Sequence, residues 1–182
     1  MDYYLGLGSN LGRRAANLAR ARRLLEREGV EVLAASSVYE TEPVDGIDQP
    51  WFLNQVLEVR SELEPAALLR LAKSIETELK RRPTVLKGPR TIDVDILFAG
   101  DLVLETPGLV LPHPRLHLRN FVLVPLKEIA PRLCHPVLGK TVAELARSAV
   151  DPGLVKRRIG TRSPRSRSRT FSAGRAPLKT RR

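Results

Sequence analysis

No apolar run of about 18 residues occurs in the 182-residue sequence, so no segment reads as a bilayer-spanning helix. The opening MDYYLGLGSN lacks the basic-then-apolar order of a secretory leader. Cysteine is nearly missing. Cys134 stands alone, which excludes an internal disulfide and fits a reducing cytoplasm. Acidic residues are missing from one region only. Residues 156–182 hold eleven Lys or Arg and no Asp or Glu, leaving 20 basic and 20 acidic residues in 1–155. The formal charge of +11 therefore belongs to the tail and says nothing about the partner of the folded part.

What is present reads as one α+β domain. Residues 2–10 form an apolar strand running into a Gly/Ser/Asn loop. A helix follows over 13–28, with Leu18, Ala21 and Leu25 on one face and Gly29 as its stop. Residues 30–41 read as one strand and 44–50 as a loop. Residues 51–61 alternate as a strand that turns Phe52 and Asn54 to the same side. Pro65 opens a helix running to Arg81, with Leu68, Leu71, Ala72, Ile75 and Leu79 as its stripe. TIDVDILFAGDLVLET reads as a hairpin turning at Gly100, and 109–117 as mostly loop. Residues 119–131 fit a strand or a helix, with Pro125 arguing against both. Thr141 and Glu144 have capping-box spacing, which predicts a helix over 141–150. From Lys156 the Ser/Arg-rich chain offers too little apolar surface to offset its ordering entropy and reads as a disordered tail. No internal repeat is found, and the elements interleave as one layer sandwich over 1–155.

Chemistry concentrates in GPRTIDVDILF, residues 88–98. On a strand Asp93 and Asp95 share one face, while Ile92, Val94 and Ile96 fill the core behind them. Two carboxylates so close repel each other, and a divalent cation such as Mg²⁺ relieves the conflict. The plain alternative is a solvated strand face. Arg90, held by Gly88 and Pro89, adds a cation suited to polyphosphate oxygens. Lys80, Arg81, Arg82 and Lys87 are further candidates, although basic residues at a helix C-terminus also answer its dipole. Glu76 sits one turn earlier. The LGLGSNLG loop matches neither the dinucleotide nor the P-loop pattern and reads as a close backbone approach. Phe52 and Asn54 together offer a ring to stack on and an amide to pair with a flat heterocycle. His113, between two prolines and near Arg115, His117, Arg119 and Phe121, marks a ligand-facing loop or a structural histidine.

GLGSNLG, SSVYETEP, DQPWFLN, GPRTIDVDIL and LPHPRLHLRNFVLVPLKEIAP, in this order and spacing, resemble 6-hydroxymethyl-7,8-dihydropterin pyrophosphokinase of folate biosynthesis over residues 2–150. The resemblance implies a ferredoxin-like sandwich, monomeric, with ATP and pterin in one cleft. It implies two Mg²⁺ ions bound with ATP at Asp93 and Asp95. It places Thr41, Phe52, Asn54 and Phe121 at the pterin, with Pro43 and Val44 in the pterin-side loop. Glu76, Arg81, Arg90, His113 and Arg119 match positions that hold ATP. The implied reaction is attack of the pterin hydroxymethyl oxygen on the β-phosphorus of ATP with release of AMP. Arg90 and Arg119 brace the charge, and no covalent protein intermediate forms. Three features depart from the family. Lys87 stands where an aromatic is common before Gly-Pro-Arg, and the lid 82–87 lacks arginines often found there. Phe52 stands where Tyr is common.

Two rival readings remain at this stage. A nucleic-acid binder would act through the basic tail, with strong salt dependence. Another Mg²⁺-dependent phosphotransferase or hydrolase would use Asp93 and Asp95 without pterin. The length leaves no room for a fused aldolase or synthase domain.

Overall fold

A computed structural model describes residues 1–43, 48–81, 88–151 and 153–158. β1 (Asp2–Ser9) leads through α1 (Arg14–Arg27) to β2 (Glu31–Ala35), β3 (Tyr39–Thr41) and β4 (Phe52–Arg60). α2 (Pro65–Glu78) then leads to β5 (Asp93–Ala99). All pairings are antiparallel in the order β5-β1-β4-β3, with β2 also on β4. This is the βαββαβ path of a ferredoxin-like sandwich.

α1 and α2 cover one face of the sheet. Leu18, Leu25, Leu68 and Ile75 meet Leu5, Leu57, Val94 and Ile96 there. Each such side chain contributes about 1.5–3 kcal/mol on full burial. α3 (Asn120–Ile129) and α4 (Val142–Ser148) lie on the other face, packing Leu123, Leu126, Val142 and Leu145 against Val56, Leu97 and Phe98. A bulge explains why Leu97 and Phe98 join the same layer. Leu5 pairs with Ile96 and Tyr4 with Phe98, so Leu97 is the extra residue. Before the bulge, Asp93 and Asp95 line the cleft while Val94 points into the core.

Several elements differ from the sequence expectation. The expected strand 30–41 is two strands. Between them Ser37 donates from its N and Oγ to the Glu128 carboxylate of α3, at 2.9 and 2.8 Å, in place of ladder partners. The expected hairpin at Gly100 does not form. The outer edge of β5 instead receives His113 N, which donates to Leu97 O at 2.9 Å. β6 (Leu104–Thr106) pairs with β7 (Leu109–Leu111), so 109–117 is less loop-like than expected. The Leu111–Pro112 bond is cis, and a short 3₁₀ turn follows at Leu116–Leu118. The ambiguous 119–131 is the helix α3, with Pro125 inside it. Burial of Val122, Leu123 and Leu126 outweighs an internal proline, which costs about 3 kcal/mol.

α2 stops at Glu78, three residues before the expected Arg81. Lys80 adopts φ +61, its N donates to Thr77 O, and Arg81 N donates to Glu76 O, both at 2.9 Å. That is a Schellman closure, and it turns Arg81 back over the helix end. The expected capping box is present: Glu144 N donates to Thr141 Oγ1 and Thr141 N to Glu144 Oε2. The expected tail boundary moves outward. β8 (Val155–Arg157) pairs with β3, and Arg158 N donates to Val38 O, because β3 offers a free edge. The rest of the tail, from Ile159, lies outside the described residues.

Candidate active site

The α3 face of the sheet holds a cleft of about 360 Å³. Its floor is β1, β4 and β5, and its far wall is the segment from His113 to Val122. One end is aromatic and amide. Asn54, 8% exposed, donates from Nδ2 to Thr41 Oγ1 at 2.7 Å. A Cβ on Gly8 would lie 2.8 Å from Asn54 Oδ1, so only glycine lets the amide lie against β1. Phe52 and Phe121 also line the cleft. The Arg90 guanidinium lies 5.2 Å from the Phe52 ring centre and that of Arg119 5.3 Å from Phe121.

The other end is charged. Arg81 Nη1 stands 2.5 Å from Asp93 Oδ1 and 2.6 Å from Glu76 Oε2, and Arg90 Nε 3.4 Å from Asp93 Oδ2. Burial first, and then Asp93, raises the Asp95 carboxyl to about 6. A solvated strand face would not do this. His113 faces the same space. Burial, then Arg119 and Arg115, lower it to about 4, so its ring is neutral at pH 7. Arg115 N donates to His113 Nδ1 at 3.2 Å, which leaves Nε2–H as a donor.

The donor set fits a hard cation. Two carboxylates meet on one face and lack enough positive charge to hold Asp95 ionised in the ordinary range. Among the described residues no group of three or more His, Cys, Asp or Glu is placed to hold a metal. Asp93 and Asp95 would therefore supply part of a shell that water and phosphate oxygens complete, as Mg²⁺ prefers.

The model of the 7,8-dihydro-6-hydroxymethylpterin-pyrophosphokinase (HPPK) family matches residues 4–131. This chain belongs to that family. It is 46% identical over 131 residues to the 2-amino-4-hydroxy-6-hydroxymethyldihydropteridine pyrophosphokinase of Bacillus subtilis, covering 71% of this chain and 78% of that protein. It is 42% identical over 148 residues to the folic acid synthesis protein fol1 of Pneumocystis carinii. That match covers 81% of this chain but only 20% of fol1, so the chain spans about a fifth of that relative. A Plasmodium falciparum HPPK-DHPS crystallised with pteroate superposes with a TM-score of 0.66 at 18% identity, over 80% of this chain and 42% of that one. At that identity it speaks for the fold alone, and the ferredoxin-like HPPK sandwich is the fold seen here.

Of the positions implied by the family resemblance, Thr41, Phe52, Asn54, Phe121, Arg81, Arg90, Asp93, Asp95, His113 and Arg119 all line the one cleft. Glu76 does not. It is 4% exposed, and its Oε1 accepts from Val94 N and Lys73 Nζ, both at 2.8 Å. Its geometry is that of a support behind Arg81. Pro43 follows Glu42 but is not part of the lining. Val44 and residues 82–87, which the resemblance expects as a lid, lie outside the described residues. Lys73 and Gln49 line the cleft and were not singled out from sequence. Lys73 had a usable signal, its i,i+3 spacing to Glu76.

The glycine loop turns out to be a socket for the Gly-Pro-Arg turn. Asn10 N and Leu11 N donate to Arg90 O at 3.1 and 3.2 Å. Ser9 Oγ and Asn17 Nδ2 donate to Thr91 O at 2.5 and 2.9 Å.

Proposed function

We propose that this chain transfers the pyrophosphoryl group of ATP to the hydroxymethyl oxygen of 6-hydroxymethyl-7,8-dihydropterin and releases AMP. The observation that carries this is the joining, in one cleft, of an aromatic and amide end with a carboxylate and arginine end. Phe52 and Phe121 give the pterin its stacking faces, and Asn54, braced by Thr41, pairs with its polar edge. Binding there brings the hydroxymethyl oxygen toward the phosphates, and placement of this kind is the main catalytic contribution. The oxygen bonds to the β-phosphorus, the bond to the α-phosphate bridging oxygen breaks, and the hydroxyl proton passes to water. Arg90 and Arg119 stabilise the charge that shifts onto the phosphate oxygens. Arg81 and His113 Nε2–H hold the nucleotide, and Glu76 holds Arg81. Asp93 and Asp95 would hold Mg²⁺, two ions with ATP by family resemblance, which when bound neutralises polyphosphate charge.

We place the enzyme in the cytoplasm, consistent with its lone cysteine, and take it as a monomer from the family resemblance. No helix among the described residues is long and apolar enough to cross a membrane. We take the basic segment after β8 as accessory, so deleting residues 159–182 leaves turnover in place. The deciding assay mixes protein, ATP, Mg²⁺ and 6-hydroxymethyl-7,8-dihydropterin and follows AMP and pterin diphosphate. Equal appearance of both is expected. AMP release without pterin, or ADP in place of AMP, would assign Asp93 and Asp95 to another phosphotransferase or hydrolase. Only salt-sensitive nucleic-acid binding would assign the function to the tail.

A further inference from the structure

Asn10 belongs to the glycine loop that matches no nucleotide motif, yet it is 2% exposed and highly bonded. Its Nδ2 donates to Gln49 Oε1 at 3.0 Å and to Pro50 O at 3.1 Å. Its Oδ1 accepts from Arg90 N at 2.7 Å. The amide orientation is fixed by chemistry: Arg90 N–H only donates and Pro50 O only accepts. One buried side chain thus reaches two separate segments that each contribute to the lining of the cleft. Gln49 and Pro50 lead directly into Trp51 and Phe52, on the pterin side. Arg90 belongs to the phosphate side. In front of Asn10 the same two elements meet again, where Arg90 lies over the Phe52 ring.

We propose that Asn10 is a positioning residue that ties the lead-in to the Phe52 strand to the Gly-Pro-Arg turn, so that the stacking ring and the phosphate arginine keep one fixed spacing. It is not itself part of the lining of the cleft, but it holds Gln49 and Arg90, which are, and acts through them on the placing of Phe52 and the Arg90 guanidinium. Buried amides earn their place by satisfying partners that would otherwise be orphaned. Here the orphans would be Arg90 N and Pro50 O, one on each side. The substrate consequences rest on the proposed function, whereas the tie itself does not.

The two arms separate by substitution. Asn10→Asp keeps an acceptor for Arg90 N but turns an oxygen toward Pro50 O, which can only accept, and this breaks the pterin arm. Asn10→Ala removes both arms. Loss of buried hydrogen bonds of this kind corresponds to about a tenfold change. We expect N10D to raise the pterin KM about tenfold with the ATP KM within about twofold, and N10A to raise both and lower kcat. Trp51, the sole tryptophan, gives a readout that needs no activity. In N10D its emission should shift to the red and its acrylamide quenching increase, whether or not the chain turns over pterin. A pterin KM unchanged in N10D, pterin and ATP KM rising equally as in general loosening, or unaltered Trp51 emission would each overturn the proposal.

Discussion

Glu76 offers the sharpest test of how the charged end is built. Its carboxylate is buried and serves three donors: Val94 N, Lys73 Nζ and Arg81 Nη1. Glu76→Ala leaves the buried Val94 N–H on the edge strand β5 without that acceptor, which costs about 1–3 kcal/mol. The ion-pair losses are smaller because the Lys73 and Arg81 side chains are 47% and 28% exposed, so each is discounted to below about 1 kcal/mol. The sum is about 3 kcal/mol, which for a chain of this size lowers Tm by about 6–12 °C. Glu76→Gln keeps an oxygen for Val94 N but sets an NH₂ against Arg81. It should regain most of the Tm while the ATP KM stays raised, because Arg81 loses one of its two carboxylates. Thermal melts and steady-state kinetics on both variants decide the matter. If Glu76→Ala raised the ATP KM with no loss of Tm, Glu76 would contact nucleotide directly and the supporting role would be wrong.

Asp95→Asn should lower AMP formation about a thousandfold, measured under saturating Mg²⁺, since several kcal/mol of charge stabilisation go with the carboxylate. In metal-free buffer the same variant should be more stable than the parent at pH 8. The Asp95 carboxyl is raised to about 6, so its destabilisation develops as pH rises from 3.8 and is complete above about 6. Urea melts in EDTA at pH 8 and below pH 4 should show the gain at the first and not the second, and an equal gain at both would refute the assignment. Gly8→Ala should raise the pterin KM about tenfold, because the new methyl meets Asn54 Oδ1 at 2.8 Å and displaces its amide. An unchanged pterin KM would remove Asn54 from the site. Lys80→Gly should stabilise by about 0.5–1 kcal/mol in urea melts, since Lys80 holds φ +61 at a helix end where glycine carries no Cβ penalty. Loss of stability would mean the Lys80 side chain is itself needed.

The parts of the site legible in the sequence were those written in strand periodicity. Ile92, Val94 and Ile96 are all buried, so Asp93 and Asp95 were forced to the opposite face. The same alternation put Phe52 with Asn54. Beyond that period the reading failed. The bulge at Leu97 carries no local signal, and it decides which layer receives Phe98. The break between β2 and β3 is made by Glu128, 91 residues from Ser37. The hairpin expected at Gly100 lost to His113, whose N–H took the edge of β5.

Apart from the bulge, these failures share one physical cause. Each is a polar side chain or N–H satisfying backbone at long sequence separation, which no window of neighbouring residues contains. The family resemblance puts Glu76 among the ATP positions, and a helix stripe says only which side is apolar, not what its carboxylate meets. Its carboxylate lies inside because Val94 N, 18 residues away, needs an acceptor. Asn10 follows the same logic over 80 residues to Arg90. A polar residue at a position that periodicity assigns to the interior is thus a positive signal rather than noise. It marks a point where two distant segments must be held together. In this fold those points lie directly beneath the two ends of the cleft: Glu76 under Arg81 and Asp93, Asn10 under Arg90 and the lead-in to Phe52. The face that lines the cleft is periodic and therefore readable, while its supports are not periodic and have to be seen in three dimensions.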